Sequence, residues 1–321
     1  MVTGQRGAAG VDEQAYVPEG GVARFHLEGP GGRLALVDAG PTDAAKAPLV
    51  LVHGWGADTH DWDAVVARFA PERRVLAVDL RGHGGSAPND DHRPHASAAD
   101  VAFVLGERAV AGPVILVGHS LGAVVASILA VERPVPIAGL MVIDPAYGRP
   151  AGHHLRVEPW VRRLRAGDAA FGAELVAGSV DAERHPRLRE YLFRRALRTP
   201  VRTIWRTLAD LHLSEGALST EPAGSRYLVE RACPVLALNR DRERARWEAG
   251  VLAASANRGP VRSRSLVWPD SGHFPHLEHP DRFHTLLERW VGLLAGAPAD
   301  TFGFEEDVVD PVSADGGTAD A

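Results

Sequence analysis

The chain has 321 residues, enough for one large α/β domain with an insertion or for two average domains. Its hydrophobic share of 45 % and charged share of 24 % fit a globular protein with a sizeable core, and a net charge of −6 gives no reason to expect a nucleic-acid partner. A single cysteine, Cys233, excludes an intrachain disulfide; no run approaches the roughly 18 apolar residues of a membrane span. The first residues lack a basic start followed by an apolar stretch, so neither a signal peptide nor a membrane partner is expected, and the cytoplasm is the expected location.

Residues 1–20 are small and polar and are expected to be flexible. Val22–Leu27 and Leu34–Asp38 flank a Gly-Pro-Gly-Gly turn and predict an antiparallel hairpin. Six β-rich apolar runs follow, PLVLVH (48–53), RVLAVDL (74–80), PVILVGH (113–119), GLMVID (139–144), PVLALN (234–239) and SLVWP (265–269). Continuous apolar strands of this kind belong to a parallel sheet buried on both faces. Helical spacing appears between them, over Asp61–Phe69, Ala96–Val110, Leu121–Glu132, Asp241–Ala256 and His284–Leu294. The pattern predicts a doubly wound, mostly parallel α/β sheet of about eight strands, formed by residues 21–148 and 231–295.

From Arg149 to Glu230 no strand pattern occurs, only helical candidates such as Pro159–Arg165, Asp168–Val180 and Pro200–Leu213, the last with Thr199 as expected N-cap. That stretch, 149–230, reads as a helical cap over the carboxyl ends of the strands, and it carries 14 Arg against 10 Asp and Glu. From Gly296 onward the tail has seven acids and no Lys or Arg, and disorder is expected over 296–321. Cys233, just before a strand, reads as a small buried apolar residue.

Gly118-His119-Ser120-Leu121-Gly122 lies between a strand and a helix. A serine on so tight a turn is pushed out above the sheet, and flanking glycines let neighbouring chain segments approach. Ser120 is therefore the expected nucleophile. The backbone N–H groups of Leu121 and of Trp55, in His53-Gly54-Trp55-Gly56, are the expected oxyanion donors. Histidine has the proton affinity to activate a serine. His273, in Pro269-Asp270-Ser271-Gly272-His273 after the last strand, stands out among 15 histidines. His276, His279 and His284 read as structural, and His53 and His119 as backbone-bonded members of their motifs. No HxHxDH or HExxH pattern suggests a zinc site.

HGWG (53–56), DLRGHGGS (79–86), GHSLG (118–122) and GHFPHLEHP (272–280), in that order, resemble the α/β-hydrolase superfamily over residues 22–148 and 231–294. The resemblance implies a base after the final strand, at His273, and a loop-holding role for Asp79. It also implies a catalytic acid after one of two strands. Asp144 follows GLMVI and stands 24 residues beyond Ser120, as in some dehalogenases and macrolactone hydrolases. It is preferred over Glu243, and Glu243 over Asp241, which looks like a helix N-cap. A serine nucleophile argues against dehalogenase and epoxide-hydrolase chemistry and for acyl transfer to water. The substrate expected is a small-molecule ester or lactone, bulky and apolar, with a macrolactone of the zearalenone type as one candidate. Gly54, His119, Tyr147 and Trp205 are expected to contact it, with Trp160, Phe171, Tyr191 and Phe193 as further candidates for an apolar wall. Carbon–carbon bond hydrolysis and cofactor-free perhydrolysis use the same triad, and a non-catalytic receptor would use the same pocket. No cofactor or metal is expected.

Overall fold

A computed structural model describes residues 22–42, 45–110, 112–257, 259–298 and 308–309. Eight strands form one sheet: β1 (Arg24–Gly29), β2 (Gly32–Ala39), β3 (Leu49–Val52), β4 (Val75–Val78), β5 (Val114–His119), β6 (Ile137–Ile143), β7 (Val235–Asn239) and β8 (Arg264–Val267). Their order is β1-β2-β4-β3-β5-β6-β7-β8. The hairpin β1–β2 is antiparallel and joins β4 antiparallel; the other six strands run parallel.

Alternate strand residues point to opposite faces. Val50 and Val52 enter one core with α2 (Pro94–Glu107), α3 (Leu121–Glu132) and the end of α9 (Arg242–Ala254). Leu49 and Leu51 enter the other, with α1 (Asp63–Phe69) and α11 (Pro280–Leu294). Both cores exclude water almost completely, which is why every strand of the interior reads as an unbroken apolar run. Strand order reverses between β3 and β5, and the crevice outside the carboxyl ends of two such strands is where open α/β sheets bind ligands.

Between β6 and β7 the described residues form five helices: α4 (His154–Arg165), α5 (Ala169–Ala177), α6 (Pro186–Arg198), α7 (Val201–His212) and α8 (Ala223–Leu228). Four of them pack as two small cores, α5 with α6 and α4 with α7, while Leu228 of α8 joins the sheet core; the indole of Trp55 touches both small cores as well as the sheet. A single isolated bridge, Arg149 to Thr220, closes the base of the insertion.

Three expectations need correction. Thr199 is not an N-cap: α6 runs to Arg198, leaving Thr199–Pro200 as an extended link, and Pro200 occupies the cap position with no side-chain bond. Helix α4 begins at His154, so Pro159 lies inside it instead of opening it. Within the acidic tail, Val308 bridges Leu266 antiparallel and Val309 is buried against Ala245 and Val267. Strand β8 is an open sheet edge, and two consecutive valines cover part of it where the composition predicts disorder. The rest of the tail from 299, and the N-terminal stretch 1–20, lie outside the described residues. Cys233 is buried, and burial pushes its thiol up to about 11.

Candidate active site

The site is assembled from loops at the carboxyl ends of five parallel strands. Ser120 follows β5 directly and precedes α3, with φ 53° and ψ −113°. That strained turn is held from both sides: the Ser120 N–H donates to Ile143 O at 2.9 Å, and its carbonyl accepts from Ala146 N–H at 3.1 Å. A side chain at Gly122 would run into the Val52 carbonyl, and one at Gly54 would press on His119 Nδ1 and Ser120 Cβ. The glycines therefore bring α3 and the loop after β3 against the Ser120 turn.

His273 Nε2 lies 3.0 Å from Ser120 Oγ, and His273 Nδ1 is hydrogen-bonded to Asp144 Oδ2. Because a carboxylate only accepts, Nδ1 carries the proton and Nε2 is free to accept from the serine hydroxyl. Asp144 comes directly after β6, has φ 36° and is fully buried. Burial raises its pKa, but the bond from His273 and the charges of Arg240 and Arg244 outweigh that and hold the carboxyl well below the usual range. Burial lowers the pKa of His273, and the neighbouring Asp144 only partly restores it. The imidazole is therefore neutral at pH 7.

The loop carrying His273 is clamped by Glu278, whose two carboxylate oxygens accept from Gly272 N–H and Phe274 N–H, each at 2.8 Å. His119 lies beneath it and donates from Nε2 to His273 O at 2.7 Å. Backbone bonds engage Ala57 N–H and Ala123 N–H but neither Trp55 N–H nor Leu121 N–H among the described residues. Asp79 accepts from Thr59 N–H at 2.7 Å and from Gly85 N–H at 2.8 Å, as a loop-holding carboxylate would. His53 is likewise fixed to backbone, between Leu80 N–H and Gly54 O.

The two other candidate acids lie elsewhere. Asp241 caps α9, accepting from Arg244 N–H at 2.8 Å, and Glu243 is exposed in the first turn of that helix.

A cavity of about 410 Å³ opens over Ser120 and His273, walled in part by Trp55, Trp160, Leu208 and Leu211. Arg149, Arg156, Arg240, His153 and His212 line the same cavity. Of the four expected contact residues none is on this wall. Gly54 and His119 support the turn from below. Tyr147 is fully buried, its hydroxyl accepting from Arg231 beside Glu248. Trp205 packs among the inserted helices under Arg165 and Arg206. Trp160 is the only aromatic of the insertion on the wall; Phe171, Tyr191 and Phe193 serve the helix–helix cores. Arg149, Arg240 and Glu278 escaped the sequence reading, although the arginine excess of the insertion was a partial signal for the first.

Among the described residues one set offers ligand atoms to a metal: Asp61, His119 and His276, all buried, within 4.8 Å of one another. Asp61 there is already paired with Arg195, whose positive charge also bears on His276, so a cation at this point would meet a guanidinium.

Similarity to known proteins agrees with this geometry. The esterase Rv0045c of Mycobacterium tuberculosis is 35 % identical over 142 residues, which cover 42 % of this chain and 46 % of that protein, under half its length. The pimeloyl-[acyl-carrier protein] methyl ester esterase of Neisseria meningitidis is 29 % identical over 259 residues, covering 78 % of each chain. Among solved structures, a thermophilic esterase from Thermogutta terrifontis superposes with a TM-score of 0.69 at 26 % identity, over 85 % of this chain and 99 % of that one. The enol-lactonase of Burkholderia xenovorans shares the fold, with a TM-score of 0.69 at 18 % identity over 83 % and 99 %. Residues 49–286 match the model of the alpha/beta hydrolase family, and the chain belongs to that family.

Proposed function

We propose that the protein hydrolyses a carboxylic ester or lactone through an acyl-enzyme on Ser120. The observation that carries this reading is the unbroken relay from Ser120 Oγ to His273 Nε2 and from His273 Nδ1 to Asp144. In the first step Ser120 Oγ attacks the substrate carbonyl while its proton passes to His273 Nε2. Asp144 keeps the ring in the tautomer that can accept and offsets the charge the ring acquires. The oxyanion of the tetrahedral intermediate is held by the N–H groups of Trp55 and Leu121, fixed in place before the reaction and so cheap to use. The protonated ring then gives its proton to the leaving oxygen. Water repeats the sequence on the acyl-enzyme and releases the acid. In this reading residues 149–230 act as the cap that encloses the substrate. Ester hydrolysis is also what the names of the two sequence relatives state for those proteins.

A fluorophosphonate probe tests the nucleophile. Wild type should be labelled at Ser120 and should hydrolyse short p-nitrophenyl esters, and Ser120→Ala should do neither. An unlabelled, inactive wild type would sink the reading and leave the pocket to be tested as a ligand receptor.

The lowered pKa of His273 predicts the pH profile. The base must be neutral to act, so kcat/KM should fall as pH drops through a single ionisation below 6.5 and should be flat above it. A profile whose acid limb has its midpoint above 6.5 would contradict the buried-base geometry.

A further inference from the structure

The cavity over the nucleophile is charged in a way ester hydrolysis does not require. Besides His273, five basic side chains line it and no acidic one does. Of the arginines this fold encloses, Arg74, Arg81, Arg195 and Arg231 each meet a carboxylate, Asp38, Asp100, Asp61 and Glu248, while Arg73 and Arg244 are held by backbone carbonyls. Arg149 has neither kind of partner among the described residues. Its Nε is buried without a hydrogen-bond partner, and among the described residues no carboxylate pairs with its guanidinium. Asp144, buried and not part of the cavity lining, is engaged by His273 and by Arg240, whose Nε is 3.4 Å away.

We infer that the substrate carries, besides its ester, an acidic group, a carboxylate or phosphate, which the guanidinium of Arg149 binds across the cavity from Ser120. The inference rests on the reading of Ser120 as nucleophile and adds the class of substrate. A guanidinium left half-buried and unpaired costs free energy that an incoming oxyanion restores, and its planar fork matches two oxygens of one carboxylate or phosphate. The position is fixed by backbone: Arg149 N–H donates to Ser219 O at 3.0 Å and its carbonyl accepts from Glu221 N–H at 2.8 Å. Burial lowers Arg149 to about 10, which still leaves it charged at pH 7. Burial and the nearby arginines push His153 down to about 4, and burial pushes His212 to about 3, so both rings are neutral there. The field on this wall is therefore that of Arg149 and Arg240, with Arg156 at the exposed rim. Trp55 and Trp160 in the same lining supply apolar surface for the carbon skeleton between the two functional groups.

Calorimetry on Ser120→Ala separates binding from turnover. The probes are the p-nitrophenyl monoesters of succinate, glutarate and adipate, each against the neutral p-nitrophenyl ester of the same chain length. At least one charged ester should bind about ten-fold or more tighter than its neutral counterpart. Adding Arg149→Met should bring that ratio close to one, and Arg149→Lys should keep part of it. Glutarate or inorganic phosphate should compete, and which of them does so better assigns the oxyanion. Charged esters that bind no tighter than neutral ones at every chain length would overturn the inference, whatever the variants do. Wild-type turnover of the neutral esters is scored separately, so the hydrolase reading can stand while this one fails.

Discussion

Replacing Ser120 with alanine is expected to lower kcat for ester hydrolysis by about a million-fold, and Asp144→Asn by about ten-thousand-fold. The two effects have different origins. Without the hydroxyl no acyl-enzyme can form, and only the oxyanion donors and the binding of substrate remain. Asparagine keeps the shape of Asp144 but can present an N–H to His273 Nδ1. The ring would then hold its proton on Nε2, where it cannot accept from Ser120. The buried, fully enclosed position of Asp144 makes water a poor substitute. The double variant should be no slower than Ser120→Ala alone, because the three groups act as one unit. Glu243→Gln is the comparator: its side chain is exposed on α9, and a loss within about two-fold is expected. A collapse in Glu243→Gln with an intact Asp144→Asn, measured with p-nitrophenyl esters under saturating conditions, would reverse the assignment.

The parts of the molecule that could be read from the sequence are those fixed by local rules. The strands from β3 to β8 are buried on both faces, so each announces itself as a continuous apolar run between turn residues. That Ser120 and His273 belong to one site was legible because a serine on a strand-to-helix turn needs glycines at fixed offsets and His273 follows a strand; the two side chains lie 3.0 Å apart. What escaped depends on how distant segments meet. Helix α6 is hard to read although its buried residues Leu188, Tyr191, Leu192 and Arg195 recur at helical spacing; five of its first ten residues are charged, and one of the inward positions is itself an arginine. Tyr147 is an expected substrate contact, but the chain turns and delivers its ring to the core beside Arg231. Arg149, two positions later, is the residue that reaches the cavity. No periodicity distinguishes the two. The pairing of strand order with the insertion decides it.

The buried pair Arg195–Asp61 should be the costliest polar contact to break on one side only. Arg195 on α6 bonds Asp61 on the segment after β3, Asp58 lies 3.9 Å from the same guanidinium, and the side chains of Arg195 and Asp61 are 3 % and 0 % exposed. Arg195→Met leaves a carboxylate enclosed without its countercharge, and a loss of about 3–5 kcal/mol is expected in urea denaturation, read as a shift of the midpoint at constant slope. Asp61→Leu combined with Arg195→Met should cost less than the sum of the single changes, since no lone charge remains. The pH dependence has a defined sign. Burial holds the Asp61 carboxyl above its ordinary pKa even with Arg195 present. In Arg195→Met the penalty should therefore be greatest at neutral and higher pH and should shrink as pH falls and Asp61 takes up a proton. The same pair anchors α6 to the segment that begins at Trp55, whose indole donates to Ile204 O on α7 at 2.9 Å. If the inserted helices set the position of the Trp55 N–H, Arg195→Met should lower kcat at temperatures where the variant is still fully folded. A variant that loses stability and keeps its kcat would mean that the core alone positions that donor.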